Sequence, residues 1–337
     1  MPALALDIGT YTIKAIHGST GKEVEIKRAV EIFNSLGSAV PNNEAVAQKM
    51  IEMLEAMLTD HKLPRGEVRL SLPETVVSTK IIELPVLTDA ELASAIGWQA
   101  EQYIPIPPEQ LSLEYQVLYR PDNGKQTDSK MRVLLVGAHR EIVESYINVF
   151  LALGIEPDIL ETQVLSVIRS LGIEEQDPPT LVVHMGSSST QMAMYAASEL
   201  KFVTSHMSGG QLLTQTIEKQ INLDLQQSEQ YKRSYGLDPQ HFEGKVKAIL
   251  TPIVDSLVGE MRKAMTFYTN QNPGTSVPRI LLSGGAAQLP GLVQYITESL
   301  GTEVLVAAPF STASGEIPEG NHPAWTVCMG LLMREEA

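Results

Sequence analysis

Asp7-Ile8-Gly9-Thr10-Tyr11-Thr12-Ile13-Lys14 is the stretch on which the reading of this chain turns. An apolar run at 3–6 leads into Asp7, a second at 12–16 leaves the stretch, and Gly9 and Thr10 sit where the chain must reverse. The pattern predicts a β-hairpin whose tip presents backbone N–H groups, a small hydroxyl and, a few residues on, a lysine. Successive N–H groups in a turn form an anion-binding concavity. Such a tip can hold a phosphate against Lys14, with Asp7 placed to meet a hydrated magnesium ion. An ordinary hairpin with a surface lysine fits the same eight residues, because short glycine motifs recur by chance. What decides between the two lies further along the chain.

The design returns 177 positions later. Leu181-Val182-Val183 reads as a buried strand running into His184-Met185-Gly186-Ser187-Ser188-Ser189-Thr190, and a further strand follows at 191–196. Strand, glycine-containing polar turn, strand, met twice, predicts a duplicated architecture with two phosphate tips facing one cleft. A third glycine turn closes the buried strand 279–283, where Ser283-Gly284-Gly285-Ala286 precedes a helix from about Leu292. Glycine has no Cβ, so backbone there can approach a flat ligand closely. Between the second and third turns, Ser208-Gly209-Gly210 opens a helix carrying Leu213, Ile217 and Ile221. A short charged helix is expected at 225–235. A long helix follows at 243–271, with Ile249, Ile253, Leu257, Met261 and Tyr268 along one stripe.

Around these turns the chain divides legibly. Residues 3–33 read as a three-stranded meander, and Asn42 or Asn43 caps a helix reaching His61. A buried strand at 67–73 stops at Pro73. A subdomain is expected at 74–154. It has a strand at 76–84 and a helix from the Thr88/Glu91 capping box to Tyr103. Strands at 111–120 and 131–138 follow, joined by the polar loop 121–130, and a helix at 140–153 closes the unit. The sequence Ile104-Pro105-Ile106-Pro107-Pro108 ends the capped helix, since proline cannot continue the ladder. Another helix is expected at 161–171, and Asp177-Pro178-Pro179 is the clearest linker.

A length of 337 residues implies several packed units, about two to four. With 43 % hydrophobic and 19 % charged residues the chain can bury a large core. The net charge of −15 argues against nucleic acid, whose phosphates demand clustered Lys and Arg. The single cysteine, Cys328, lies in the apolar run 324–333, excludes an intramolecular disulfide and reads as a buried structural thiol. No apolar run approaches the ~20 residues that span a bilayer. The N-terminus lacks a basic-then-apolar leader pattern, so a cytosolic protein is expected unless a partner tethers it.

The order phosphate, phosphate, adenosine resembles the actin, Hsp70 and sugar-kinase architecture, an α/β fold of two lobes with ATP in the cleft. Asp7-x-Gly9 with Lys14 resembles its first phosphate loop, 186–190 its second, and Ser283-Gly284-Gly285 with Pro290-Gly291 its adenosine motif. The helices near 161 and 325–333 resemble its two connecting helices. The unit after Pro73 has the position and element order of the α+β subdomain inserted in the FtsA branch. Within that branch, Gln99-Ala100-Glu101-Gln102-Tyr103-Ile104-Pro105, Val136-Gly137-Ala138-His139-Arg140-Glu141 and Ser208-Gly209-Gly210-Gln211-Leu212 resemble the PilM family of type IV pilus assembly proteins.

The resemblance implies a first lobe of 1–73 and 155–177, the inserted subdomain at 74–154, and a second lobe of 178–210 and 275–337 with a helical subdomain at 211–274. It implies ATP or ADP with magnesium. The nucleotide would be held by Asp7, Gly9, Thr10, Tyr11, Thr12, Lys14, Gly186, Ser187, Ser188, Ser189, Thr190, Gly209, Gly210, Ser283, Gly284, Gly285 and Ala286. Asp7 would meet the magnesium through water. One departure stands out: the family's second loop usually starts Asp-x-Gly, and His184 occupies that place, so hydrolysis is expected to be slow or absent. No catalytic residue stands out, and Glu161 and Gln163 are the candidates for positioning water.

By the same resemblance, the protein would be a cytoplasmic scaffold peripheral to the inner membrane. It would bind the short N-terminal cytoplasmic tail of a PilN-like protein, with other pilus assembly proteins and self-association as further contacts and no membrane insertion of its own. Tyr103, Ile104 and Ile106 are the candidate peptide contacts, at a helix end beside strands open to β-addition. The competing expectations are an FtsA-like membrane-associated filament former and an active ATPase or kinase. FtsA proteins carry an amphipathic helix beyond the second connecting helix, whereas this sequence ends in Arg334-Glu335-Glu336-Ala337.

Overall fold

The computed structural model describes residues 2–121 and 130–335. The polar loop expected at 121–130 falls almost wholly outside them. The opening meander is β1 (Pro2–Ile8), β2 (Thr12–Ser19) and β3 (Glu25–Phe33), antiparallel throughout. Then come α1 (Glu44–Asp60), capped by the Asn43 side chain, and β4 (Val68–Leu72), which pairs parallel to β1. The inserted segment contributes β5 (Val77–Leu84), α2 (Asp89–Tyr103), β6 (Leu111–Tyr119) and β7 (Met131–His139). After α3 (Arg140–Ala152), β8 (Ile159–Thr162) pairs parallel to β4 and leads directly into α4 (Gln163–Ser170).

The second half repeats this plan. Strands β9 (Thr180–Met185), β10 (Thr190–Ala196) and β11 (Glu199–His206) form an antiparallel meander. Helices α5 (Gly210–Ile221), α6 (Leu225–Tyr235) and α7 (Lys245–Gln271) follow, then β12 (Arg279–Ser283), α8 (Leu292–Leu300), β13 (Glu303–Val306), β14 (Ser314–Gly315) and α9 (Thr326–Leu332). The sheet orders are β14-β3-β2-β1-β4-β8 and β11-β10-β9-β12-β13. Apart from β14 the two have the same wiring, with two antiparallel neighbours followed by two parallel ones.

Alternation along the central strands explains the layering. In β1, Leu4, Leu6 and Ile8 join the core beneath α1 and α3, while Ala3 and Ala5 face the cluster containing α4 and α9. In β9, Leu181, Val183 and Met185 face α5 and α7, while Val182 faces the same shared cluster. A strand buried on both faces reads as a continuous apolar run, which is why these two stand out in the sequence. Helices α4 and α9 therefore lie where the halves meet. They cross so closely that a Cβ on Gly330 would stand 1.8 Å from the Ser166 carbonyl oxygen. Cys328 is buried there.

Several expectations change. The helix expected from 161 begins at Gln163, because residues 159–162 pair as an edge strand. The edge strands β11, β13 and β14 were not foreseen. On α7 the buried stripe runs through Leu250, Val254, Leu257, Val258 and Met261, with Ile249 and Ile253 only flanking it. The helix α3, placed in the inserted unit by sequence, buries Tyr146, Val149 and Phe150 in the first lobe's core, and the Tyr146 hydroxyl donates to the Ala39 carbonyl. Residues 314–315 add a strand to the first sheet, and α9 packs on β1, β2 and β4, although 275–337 had been expected in the second lobe.

The inserted sheet, in the order β5-β7-β6, covers α2 through a core of Ile82, Leu84, Leu92, Ile96 and Met131. Ile104 and Ile106, exposed 2 % and 8 %, belong to that core. They are therefore not surface contacts: Gly137 leaves room on β7 that the Ile104 side chain fills. Tyr103 alone of the three is accessible, at 44 %. The opposite face of this sheet offers Leu134, Ile81, Leu118 and Val136 to the cluster that holds Tyr195, Leu200 and Val203 of the second lobe. Arg132 forms an ion pair with Glu199 across the same seam. Among the described residues, no helix is long and apolar enough to cross a membrane.

Candidate functional site

The two hairpin tips have the same local geometry. The Gly9 N–H donates to the Thr12 carbonyl at 3.0 Å, and the Gly186 N–H to the Ser189 carbonyl at 2.9 Å. Asp7 stands directly across its hairpin from Lys14, and His184 directly across from Gln191. His184 is thus the counterpart of Asp7, and Gln191 the counterpart of Lys14.

Both sets meet at the cleft floor. Asp7 Oδ1 accepts from Ser71 Oγ at 2.9 Å and from Gln163 Nε2 at 2.8 Å. Gln163 Oε1 in turn accepts from Gln191 Nε2 at 3.2 Å. Four buried side chains thereby link the first sheet, the start of α4 and the second hairpin. Lys14, also buried, donates to Thr12 Oγ1 and lies 3.7 Å from Glu31. His184 Nδ1 is 2.7 Å from Ser283 Oγ on β12. Burial lowers the His184 pKa to about 4, with Asp7 pulling it up and Lys14 pushing it down. At neutral pH the imidazole is uncharged.

The glycine turns brace this floor more than they line it. Gly210 and Gln211 donate their N–H groups to the Gly186 and Ser187 carbonyls at 2.9 Å each. The Gly284 N–H goes to the Pro323 carbonyl at 2.9 Å, and the Ala286 N–H to that of Met185 at 3.2 Å. Gly284 holds a φ of +86°, and a Cβ there would sit 2.4 Å from the Met185 carbonyl oxygen. So Gly209, Gly210, Gly284 and Ala286, expected as ligand contacts, buttress the second hairpin, and the N–H groups of the last three are already used. Thr10, Tyr11, Ser187 and Ser188 lie at the tips, while Thr190 Oγ1 is tied to the Ser208 carbonyl at 2.7 Å.

Some polar atoms have no protein partner. Among the described residues, Thr10 Oγ1, Gln191 Oε1 and Asn321 Oδ1 are buried and bonded to nothing in the protein, as are Ser228 Oγ and Arg279 Nη2 away from the hairpin tips. Thr10 is on the first tip and Gln191 on the floor. Asn321 is anchored to the Gly285 carbonyl by its own Nδ2 at 2.7 Å. A buried polar atom without a partner costs on the order of 1–3 kcal/mol, and a polar ligand bound between the lobes could relieve that cost at these three atoms.

Sequence reasoning missed the wall supplied by α6. Lys232 Nζ donates to the Gly210 carbonyl at 3.0 Å, to Thr214 Oγ1 at 2.9 Å and to Glu229 at 2.6 Å. The Arg233 guanidinium lies 5.9 Å over the Tyr11 ring, so α6 of the second lobe reaches the tip of the first. The signal was present as Glu229, Lys232 and Arg233 at helical spacing, one ion-pairing cluster on one face. Of the two candidates for positioning water, Gln163 is in the floor. Glu161 is committed elsewhere, to Arg169 at 2.6 Å and Arg334 at 2.8 Å. Burial alone would raise its pKa, but those two arginines with Ser166 hold it below the usual carboxylate value.

The donor set can be tested against magnesium, which takes hard oxygen ligands in a near-octahedral shell. The floor supplies one carboxylate, with one oxygen already accepting two hydrogen bonds, and on the other hairpin a neutral nitrogen base. That set does not fit a cation held from both sides; it contains the one metal contact expected from the sequence, Asp7.

Comparison with known proteins places these features in context. A family model described as type IV pilus assembly protein PilM matches residues 5–336. The cell division protein FtsA of Streptococcus pneumoniae serotype 2 is 22 % identical over 341 residues, covering 90 % of this chain and 75 % of its own. A PilM-PilN type IV pilus biogenesis complex aligns with a TM-score of 0.86 at 24 % identity, over 98 % of this chain and 97 % of that one. MreB5 of Spiroplasma citri bound to AMPPNP aligns with a TM-score of 0.55 at 13 % identity, over 98 % and 94 %. The fold shared with these structures is the two-lobed actin-like ATPase fold.

Proposed function

Because the chain belongs to the PilM family of type IV pilus assembly proteins, we propose that it is a nucleotide-binding scaffold joining a PilN-like inner-membrane protein to the cytoplasmic pilus machinery. The observation that carries the nucleotide half is the set of orphaned buried atoms on Thr10 at the first tip, Gln191 on the floor and Asn321, which is tied to the third glycine turn. The ligand class is ATP or ADP, in line with the AMPPNP held by a protein of the same fold. Lys14 meets a phosphate, and turnover is slow or absent, since Gln163 is bonded on both sides and His184 carries no charge. The partner half rests on the family and on a solved complex that pairs PilM with PilN. The partner's short N-terminal tail docks between the first lobe and the inserted subdomain, near the accessible Tyr103, and keeps the protein peripheral to the membrane on its cytoplasmic side.

Calorimetric titration with ATP, followed by a synthetic tail peptide of a PilN-like protein, tests both halves. Lys14→Ala removes a charged hydrogen bond, which is expected to weaken ATP about ten- to a hundredfold while leaving the peptide affinity unchanged. ATP affinity equal to that of the wild type would take Lys14 out of the site. Heat absent from the peptide titration in every nucleotide state would remove the tail-binding role.

A further inference from the structure

We infer that the nucleotide binds in this cleft without requiring a divalent cation, its phosphate charge met by Lys14 and the N–H groups of the two hairpin tips. The inference rests on the nucleotide reading above and follows from the internal repeat. The two hairpins share one turn geometry and one register, so a cation bridging them would meet the residues at positions 7 and 184. In the first hairpin that residue is a carboxylate and in the second an imidazole.

An imidazole brings no negative charge in any protonation state, and this one is fixed by Ser283 at 2.7 Å, on the strand beside it. Asp7 faces Lys14 across its own hairpin, so the buried floor of Asp7, Lys14, His184, Gln163 and Gln191 sums to no net charge, and the half-exposed Glu31, 3.7 Å from Lys14, adds a negative charge at its edge. A carboxylate at position 184 would make that sum −1, and a phosphate would then need a metal ion to screen it. With His184 in place the floor offers magnesium a single carboxylate, Asp7, where a carboxylate on each hairpin would offer two. Among the described residues, no group of three or more His, Cys, Asp and Glu is placed to hold a metal ion elsewhere. Near the tip Arg233 lies over Tyr11 and is paired with Glu229 at 2.7 Å.

The test is the affinity of a fluorescent ADP analogue for the full chain, in excess magnesium and in excess EDTA. The two dissociation constants are expected to agree within about threefold, and a loss of more than about tenfold in EDTA would overturn the inference. His184→Asp is expected to create the dependence that the wild type lacks, with binding at least about tenfold weaker in EDTA than in magnesium. His184→Asn, a neutral replacement less demanding of the fold, is expected to remain indifferent to magnesium. Magnesium dependence appearing equally in the Asn variant would also overturn the inference. Binding absent under both conditions, with the protein folded by circular dichroism, is a different result: it refutes the nucleotide reading and this inference with it.

Discussion

Glu74 shows how one residue can tie the insertion to the cleft. It is 4 % exposed, between β4 and β5, and accepts the Val164 N–H at 3.3 Å and the Thr79 hydroxyl at 3.3 Å. Val164 directly follows Gln163, so the carboxyl holds the first turn of the helix that reaches Asp7. Desolvation pushes its pKa up to about 7, against hydrogen bonds that pull it down. The sign follows from the direction of the shift. Below the ordinary glutamate value near 4.5 both the folded and unfolded chains are protonated, and nothing is lost. Between there and about pH 7 the unfolded chain releases its proton first, so stability falls as pH rises and levels off once the folded form has ionised. Glu74→Gln keeps the shape without the charge. It is expected to raise stability by about 1–3 kcal/mol at pH 8 and by much less at pH 5, read from urea midpoints. An equal loss at both pH values would show that the carboxylate itself is what holds Val164 and Thr79. The two tips were legible as turns because in each a glycine-containing polar stretch interrupts two apolar runs. Ile104 and Ile106 were misread because prolines beside a helix end suggest exposure, and the space opposite Gly137 that buries Ile104 is a tertiary fact.

At the scale of elements, the contact between α4 and α9 is the tightest consequence of the sequence. Gly330 admits no side chain against Ser166. Gly330→Ala is expected to force the two helices apart and destabilise the protein by about 1–3 kcal/mol, as overpacking typically does. The measurement is thermal or urea unfolding, and unchanged stability would mean that the helices can separate freely. Helices α1 and α2 were readable from their caps, and the strands buried on both faces from their unbroken apolar runs. The strands β8, β11, β13 and β14 at the edges of the two large sheets were not. The four residues of β8 run straight into α4 and were absorbed by its pattern, and β14 has only two residues, paired with β3 from far along the chain. Pairing at a sheet edge is specified by backbone hydrogen bonds to distant strands, which leave little local trace.

For the whole molecule, the repeat of one sheet plan in both halves was visible from two glycine turns. The placement of α3 and the C-terminal segment was not, since it depends on which lobe their apolar faces meet. The seam between the inserted sheet and the second lobe closes the argument at this scale. Arg132→Ala removes the ion pair with Glu199. It is expected to speed hydrogen exchange along β5 and β11 by about two- to fivefold, a sub-kcal/mol loosening typical of a part-exposed pair, with global stability nearly unchanged. Protection identical to the wild type would mean that the apolar seam alone holds the unit. Attached to one lobe by the chain and to the other by packing, the insertion is a brace between the two. By reciprocity, if a ligand between the lobes changes the affinity of a partner on this brace, the partner changes the ligand's affinity by the same factor.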